Sequence, residues 1–395
     1  MKINEQSLDV YSYFPYNECR RSGSMHRFQF ATIFALRRKE MGVTQEQVAQ
    51  YIGVSKAAVS KWEKGLSYPD ITLLPKLATY FNLSIDALLG YEPQMTKERI
   101  QQTYAELAKK FSEKSFREVQ IEIEALLAEY YACFPFVLQI AQLYLNYAKQ
   151  SEQQQEVLNR VVELCERVIE LSNDYRLMHE AEIIMAYVML LQGKPEEVLR
   201  ILGEDIHIQY GAEQQIATAL SMLGQTDKAK ETLQVSMYQY MLGTIVTATE
   251  TLQYEASNPK HFDETVKRIE SMLLLFNITQ LNINAPLVFY LKAAAGYMMQ
   301  QREEDALYML EKYCKVCDSM NFPLKLSGDD YFYLLDEWIE RDIYLGGQAP
   351  RDELSIKRDI LTSISEQPVF ASLQQNSKFK ALLNNLAHRL QLKEE

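Results

Sequence analysis

Apolar residues along this chain recur three and four apart, with almost no strict alternation, so the spacing predicts helices throughout and an all-α fold. The sharpest stretch runs from Thr44 to Lys64, TQEQVAQYIGVSKAAVSKWEK. Thr44 followed by Gln47 is a capping-box spacing that opens one helix, on which Val48, Ala49 and Ile52 share a face. Ser55 caps a second helix, with Val59 and Trp62 inward and Lys56, Ala57, Ser60, Lys61 and Lys64 on the opposite side. Ala49 and Gly53, four apart, are expected to leave room for the two helices to cross closely. Upstream, Phe30, Ile33, Phe34 and Leu36 predict a helix that ends in the basic triplet Arg37, Arg38, Lys39. Downstream, Gly65, then Pro69 and Asp70, then Leu73, Leu74, Leu77, Ala78 and Phe81 predict a turn and a closing helix; Ser84 caps a last one carrying Leu88 and Leu89.

The stretch from Gln45 through Gly90 carries Q-x-x-V-A, G-V-S, V-S-x-W-E-x-G, P, L-x-x-L-A and L-L-G in order, and residues 27–90 resemble the helix-turn-helix of the phage repressor and Cro family, the xenobiotic response element type. The resemblance implies DNA binding. It gives Gln45 a phosphate contact at the half-site boundary, sets Lys56, Ala57 and Lys61 at base edges, and counts Ser55, the cap of that helix, among the DNA-binding residues. Lys64, Ser60 and Arg37 (or its neighbour Arg38) then fall on the backbone. A helix is about 10 to 12 Å across, close to the roughly 12 Å width of the B-DNA major groove. Modules of this kind bind as two-fold dimers, so the double-stranded operator is expected to meet a homodimer.

Beyond residue 94 the grammar changes to helix pairs joined by short polar turns. Turns near Glu113, Gln150, Gly193, Gly224, Asn258 and Gln301 stand 31 to 43 residues apart, the spacing of a two-helix solenoid. Two units, AEIIMAYVMLLQGKPEEVLRIL and AAAGYMMQQREEDALYMLEKY, resemble degenerate tetratricopeptide repeats. The expected organisation is an arm over 1–26, the DNA-binding domain over 27–90, a linker over 91–94, and a tetratricopeptide-like body with capping helices over 95–395. Two readings of the arm stand: a flexible or loosely packed segment, or one lying ahead of an alternative start at Met25. The order of reader and body resembles the peptide-pheromone receptors of Gram-positive bacteria. That resemblance implies a short signalling peptide held in a concave groove, with Tyr144, Asn146, Tyr187, Tyr290 and Tyr297 as the candidate contacts. The alternative is a body that binds a partner protein.

Charge sharpens this division. Residues 27–90 balance at +3 and residues 1–26 at zero, so the total of −12 leaves about −15 on the body. Only the head is suited to phosphates. No run of 18 apolar residues is present and no signal core opens the chain, so a cytoplasmic protein without membrane contact is expected. No nucleophile triad, phosphate loop, metal cluster or cofactor turn is present; an enzyme is not expected, nor a cofactor or metal. The five cysteines, with Cys314 and Cys317 closest in sequence, read as reduced thiols.

Overall fold

A computed structural model describes residues 30–91, 94–205 and 211–392. The expected arm over 1–26 and half of the expected linker lie outside them. Among the described residues every regular element is helical, apart from one isolated bridge between Lys325 and Gln348. The chain divides into two compact units: residues up to Thr96 with Gln120–Val137, and Lys97–Val119 with Leu138 onwards.

In the first unit, five short helices enclose a small core: α1 (Phe30–Glu40), α2 (Gln45–Ile52), α3 (Lys56–Glu63), α4 (Leu74–Phe81) and α5 (Ile85–Leu89). Their boundaries follow from local chemistry. The capping box at Thr44 makes both its bonds, Gln47 N–H to the Thr44 hydroxyl and Thr44 N–H to the Gln47 carboxamide. Ser55 and Ser84 cap α3 and α5 through Ala58 N–H and Ala87 N–H. Asp70 caps a single 3₁₀ turn, Ile71–Leu73, that leads into α4. Phe30, Phe34, Val48, Ala49, Val59, Trp62, Leu77, Phe81 and Leu88 form one buried cluster.

Gly53 serves a different purpose from the one its spacing suggests. A Cβ there would meet nothing within 4 Å, so it does not make room for the crossing. It ends α2 in the left-handed conformation, φ +86°, with its N–H on Ala49 O. Only glycine takes that conformation without a steric cost, and so the turn between α2 and α3 is fixed by backbone freedom and not by volume.

Further helices follow: α6 (Lys97–Glu113), α7 (Phe116–Glu129), α8 (Phe134–Tyr147), α9 (Gln154–Leu171), α10 (Tyr175–Leu191), α11 (Pro195–Leu202) and α12 (Glu213–Met222). They continue with α13 (Thr226–Glu255), α14 (Pro259–Leu275), α15 (Ile278–Leu281), α16 (Asn284–Met299), α17 (Glu303–Asp318), α18 (Leu335–Asp342), α19 (Glu353–Ser365) and α20 (Ser377–Arg389). Each of the six turns read from the sequence falls between two helices. The step from Gly224 to Asn258 is the departure: it holds one unbroken 30-residue helix, α13, where a helix pair is expected. Nothing in it breaks a helix except Gly243, and one glycine costs only about 1 kcal/mol.

Gly243 lies exposed in the middle of α13 with open space where a Cβ would stand. Gly243→Ala should therefore stabilise the second unit by about 0.5 to 1 kcal/mol, because alanine restricts the unfolded chain and fits the helix. The check is a shift to higher urea in the unfolding midpoint reported by Trp338, whose ring sits 6.4 Å from Tyr238 of α13.

In the second unit an apolar cluster runs from Tyr238 to Leu390 and includes Phe262, Phe289, Phe332, Phe370 and Phe379. The start of this unit is tied to a segment some 240 residues later. Tyr104 donates to Pro350 O at 2.8 Å and accepts from Asn146, Tyr147 donates to Asp352, and the Lys97 ammonium reaches Glu340 O. Burial pushes the Tyr104 and Tyr147 hydroxyls up, which keeps both neutral and able to donate.

Candidate nucleic-acid interface

The recognition face is built from the inside outward. Val59 and Trp62 are buried on one side of α3, and Trp62 meets Phe34 of α1 edge-on at 6.1 Å. This seating turns Lys56, Ala57 and Lys61 fully outward, with Lys64 just past the helix end and Ser60 at the margin. Lys56 lies 3.8 Å from Glu46, but both side chains are more than 60% exposed. An exposed pair of that kind holds at most about 1 kcal/mol and gives way readily to a phosphate or a guanine edge.

A half-buried polar knot fixes the angle between the three reader helices. Glu63, at the end of α3, accepts from the Arg38 guanidinium of α1 and from Gln45 Nε2 of α2 at 2.7 Å. Arg38 also donates to Val43 O at 2.8 Å. Burial of Glu63 raises its carboxyl, while hydrogen bonds from Arg38 and Gln45 and the charges of Arg38 and Lys39 outweigh that effect and hold it below the ordinary value. The sequence reading gave Glu63 no role. Its one signal was the coincidence of an acidic residue beside Trp62 with a basic triplet at the end of α1.

The knot changes how two assigned phosphate contacts are understood. The Gln45 carboxamide nitrogen is engaged by Glu63, so a phosphate would have to displace that bond or use the backbone N–H groups that open α2, which have no intrahelical partner. Of the adjacent pair Arg37 and Arg38, the second is committed inward. Arg37 is half exposed, paired with Glu40 one turn on at 2.8 Å, and remains on the outside. Ser55 spends its hydroxyl oxygen as the cap of α3.

The five groove candidates do not converge. Tyr144 is fully buried, Tyr290 and Tyr297 are buried in the core of the second unit, and Tyr297 donates to Asp263 at 3.1 Å beneath Arg302. Asn146 is engaged with Tyr104. Only Tyr187, about half exposed, faces outward. A depression of about 230 Å³ between α13 and α16, and another of about 430 Å³ beside Gln153, Leu158 and Leu191, are lined by none of them. Cys314 and Cys317 lie one turn apart on α17, with burial raising both thiols and holding Cys314 at about 12. No group of three metal-ligating side chains occurs among the described residues, and no described helix is long and apolar enough to cross a membrane.

Comparison with known proteins places the reader. Residues 34–88 match the family described as Helix-turn-helix. Over 54 residues the chain is 43% identical to an HTH-type transcriptional activator, BcrR, of Enterococcus faecalis. That stretch is 14% of this chain and 26% of the relative, so the chain spans about a quarter of the curated protein it matches. No solved structure matches the chain. The family match ends at residue 88, within α5, so that likeness concerns the reader.

Proposed function

We propose that the protein is a sequence-specific, double-stranded-DNA-binding transcriptional regulator, a non-enzymatic homodimer whose tetratricopeptide-like second unit controls when the reader binds. One observation carries the first part: Lys56, Lys61 and Lys64 share the outward face of a helix that buried Val59 and Trp62 lock in place. Its setting supports the reading, because the 27–90 segment is cationic while the rest of the chain is strongly acidic. Lys56 and Lys61 would read base edges, with Ala57 against a thymine methyl; Lys64, Ser60 and Arg37 would position the helix on phosphate.

For the second unit, control by a peptide held in a groove is the reading that the sequence resemblance implies. Binding of a protein surface is the reading that the exposed apolar faces of α10, α11 and α12 favour, since a broad apolar patch suits a protein better than a small ligand. Selection of bound duplexes from a random pool tests the reader and the control together. The pool should yield a two-fold-symmetric sequence with half-sites about 34 Å apart, and affinity should fall steeply with salt, by a log-log slope of roughly −0.9 for each phosphate neutralised. Repeating the selection with culture supernatant should change affinity if a secreted peptide is the effector. Recovery of no preferred sequence would contradict the reading.

A further inference from the structure

The outward face of the reader carries a carboxylate as well as its lysines. Glu46, in the first turn of α2, holds its Oε2 3.8 Å from the Lys56 ammonium at the start of α3, and both side chains are more than 60% exposed. An acidic residue in a first turn suits the helix dipole wherever its side chain points. A place beside Lys56 is not something the dipole requires, and it works against phosphate binding, because DNA repels a carboxylate. The preceding side chain of α2 does not join it: Gln45 gives its carboxamide nitrogen to Glu63. Ser55, just ahead of Lys56, has its hydroxyl oxygen on Ala58 N–H, and Ala57 has no polar side chain. What the start of the recognition helix offers outward is therefore a cation and a carboxylate side by side.

We propose that Glu46 is a specificity-determining residue that reads one base pair jointly with Lys56, and that this pair is G·C. The inference rests on the DNA-binding reading above and adds the side chain that α2 contributes to base recognition. In the major groove a carboxylate finds donors in the exocyclic amines, cytosine N4 and adenine N6, while an ammonium finds acceptors at guanine O6 and N7. Guanine O6 and cytosine N4 are bonded to each other across the pair, about 3 Å apart. A cation and a carboxylate 3.8 Å apart can meet both at once. Reversing the pair sets the ammonium on the N4 amine and the carboxylate on O6, so like meets like on both sides. An A·T pair also carries an amine, but its two acceptors, adenine N7 and thymine O4, stand apart, and the thymine methyl gives a charged group nothing to bind. Guanine's two adjacent acceptors suit the ammonium better. The carboxylate thus gives up some affinity for any DNA and gains rejection of the wrong pair.

The test uses the full chain and the duplex that the wild type selects. Lys56→Ala identifies the base pair concerned, as the one at which preference disappears. There the wild type should take G·C, and should bind the selected duplex about 100-fold tighter than one with that pair reversed. Glu46→Ala should cut this ratio about 10-fold and leave the preference at the pair read by Lys61 unchanged. It should also bind an unrelated duplex a few-fold tighter, since a negative charge has left the face. Glu46→Gln should behave likewise, because a carboxamide donates as well as accepts. Trp62 fluorescence, with Trp338→Phe in the background, should be unaltered in both variants. Selection of a pair other than G·C at that position would overturn the proposal. So would a Glu46→Ala ratio equal to that of the wild type, or a loss of preference spread evenly over all positions, which would mark a merely structural role. Failure of the DNA reading looks different: the wild type selects no sequence, or Lys56→Ala costs no preference anywhere, and the inference falls with it.

Discussion

Phe34→Ala should cost the reader about 3 to 5 kcal/mol, close to everything that holds a domain of its size together. Phe34 is completely buried and sits at the centre of the reader's aromatic cluster. Its ring lies 5.2 Å from Phe30, 5.2 Å edge-on from Phe81 and 6.1 Å edge-on from Trp62, so truncation opens a cavity against α1, α3 and α4 at once. Three aromatic neighbours cannot all relax into one hole, which puts the site at the costly end of the large-to-small range. The chain has two tryptophans. With Trp338→Phe in the background, the fluorescence of Trp62 reports the reader alone. Its urea midpoint should fall far enough that the folded fraction is small at 37 °C, and specific DNA binding should disappear with it. A loss below about 1 kcal/mol would mean that this cluster does not hold α3 in place.

Glu63→Ala should be the next most damaging change in the reader, at about 2 to 3 kcal/mol. The Arg38 and Glu63 side chains are only 16% and 10% exposed. Removing the carboxylate leaves a mostly buried guanidinium with Val43 O as its remaining acceptor and strands the Gln45 carboxamide N–H. Glu63→Gln should cost less, because it keeps the volume and one acceptor. The cycle of Arg38→Ala and Glu63→Ala should show a coupling of roughly 1 to 3 kcal/mol, since both side chains belong to one network.

The same carboxylate sets a pH dependence. Its folded pKa lies below the ordinary 4.5, so its contribution is complete above that value and is lost as pH falls through the lower folded value. Reader stability should therefore decline with acidification below about pH 4.5. In Glu63→Ala that part of the decline should be missing, and Trp62 fluorescence along a pH series of urea curves would show it.

What was legible in the sequence divides along a physical line. Caps and turns at Thr44, Ser55, Gly65 and Ser84 are local chemistry, decided by residues within three or four positions, and each stands where its spacing puts it; Asp70, expected to open the fourth helix, instead caps the 3₁₀ turn ahead of it, and α4 begins at Leu74. The inward positions of α2 and α3 were equally readable, because a two-turn amphipathic helix has only one way to bury its apolar side. Arg37 and Arg38 show the limit: they are neighbours in sequence but point about 100° apart on the helix. Which of the two turns inward depends on Glu63, 25 residues away.

In the second unit the six turns were readable for the same local reason. The bond from Tyr104 to Pro350 was not, because no periodicity links residues 246 apart. The burial of Tyr144 and Tyr297 was not legible either, because a helix spacing tells which residues share a face and leaves open what covers it.

The most direct test of the central claim is the affinity of Lys56→Ala with Lys61→Ala for the duplex selected by the wild type, measured beside an unrelated duplex at the same salt. The account predicts a loss of roughly 30-fold, about 2 kcal/mol, on the selected duplex, with a much smaller change on the unrelated one and unaltered Trp62 fluorescence. If the double variant binds and selects the same sequence as the wild type, α3 does not present the recognition face and the account is wrong.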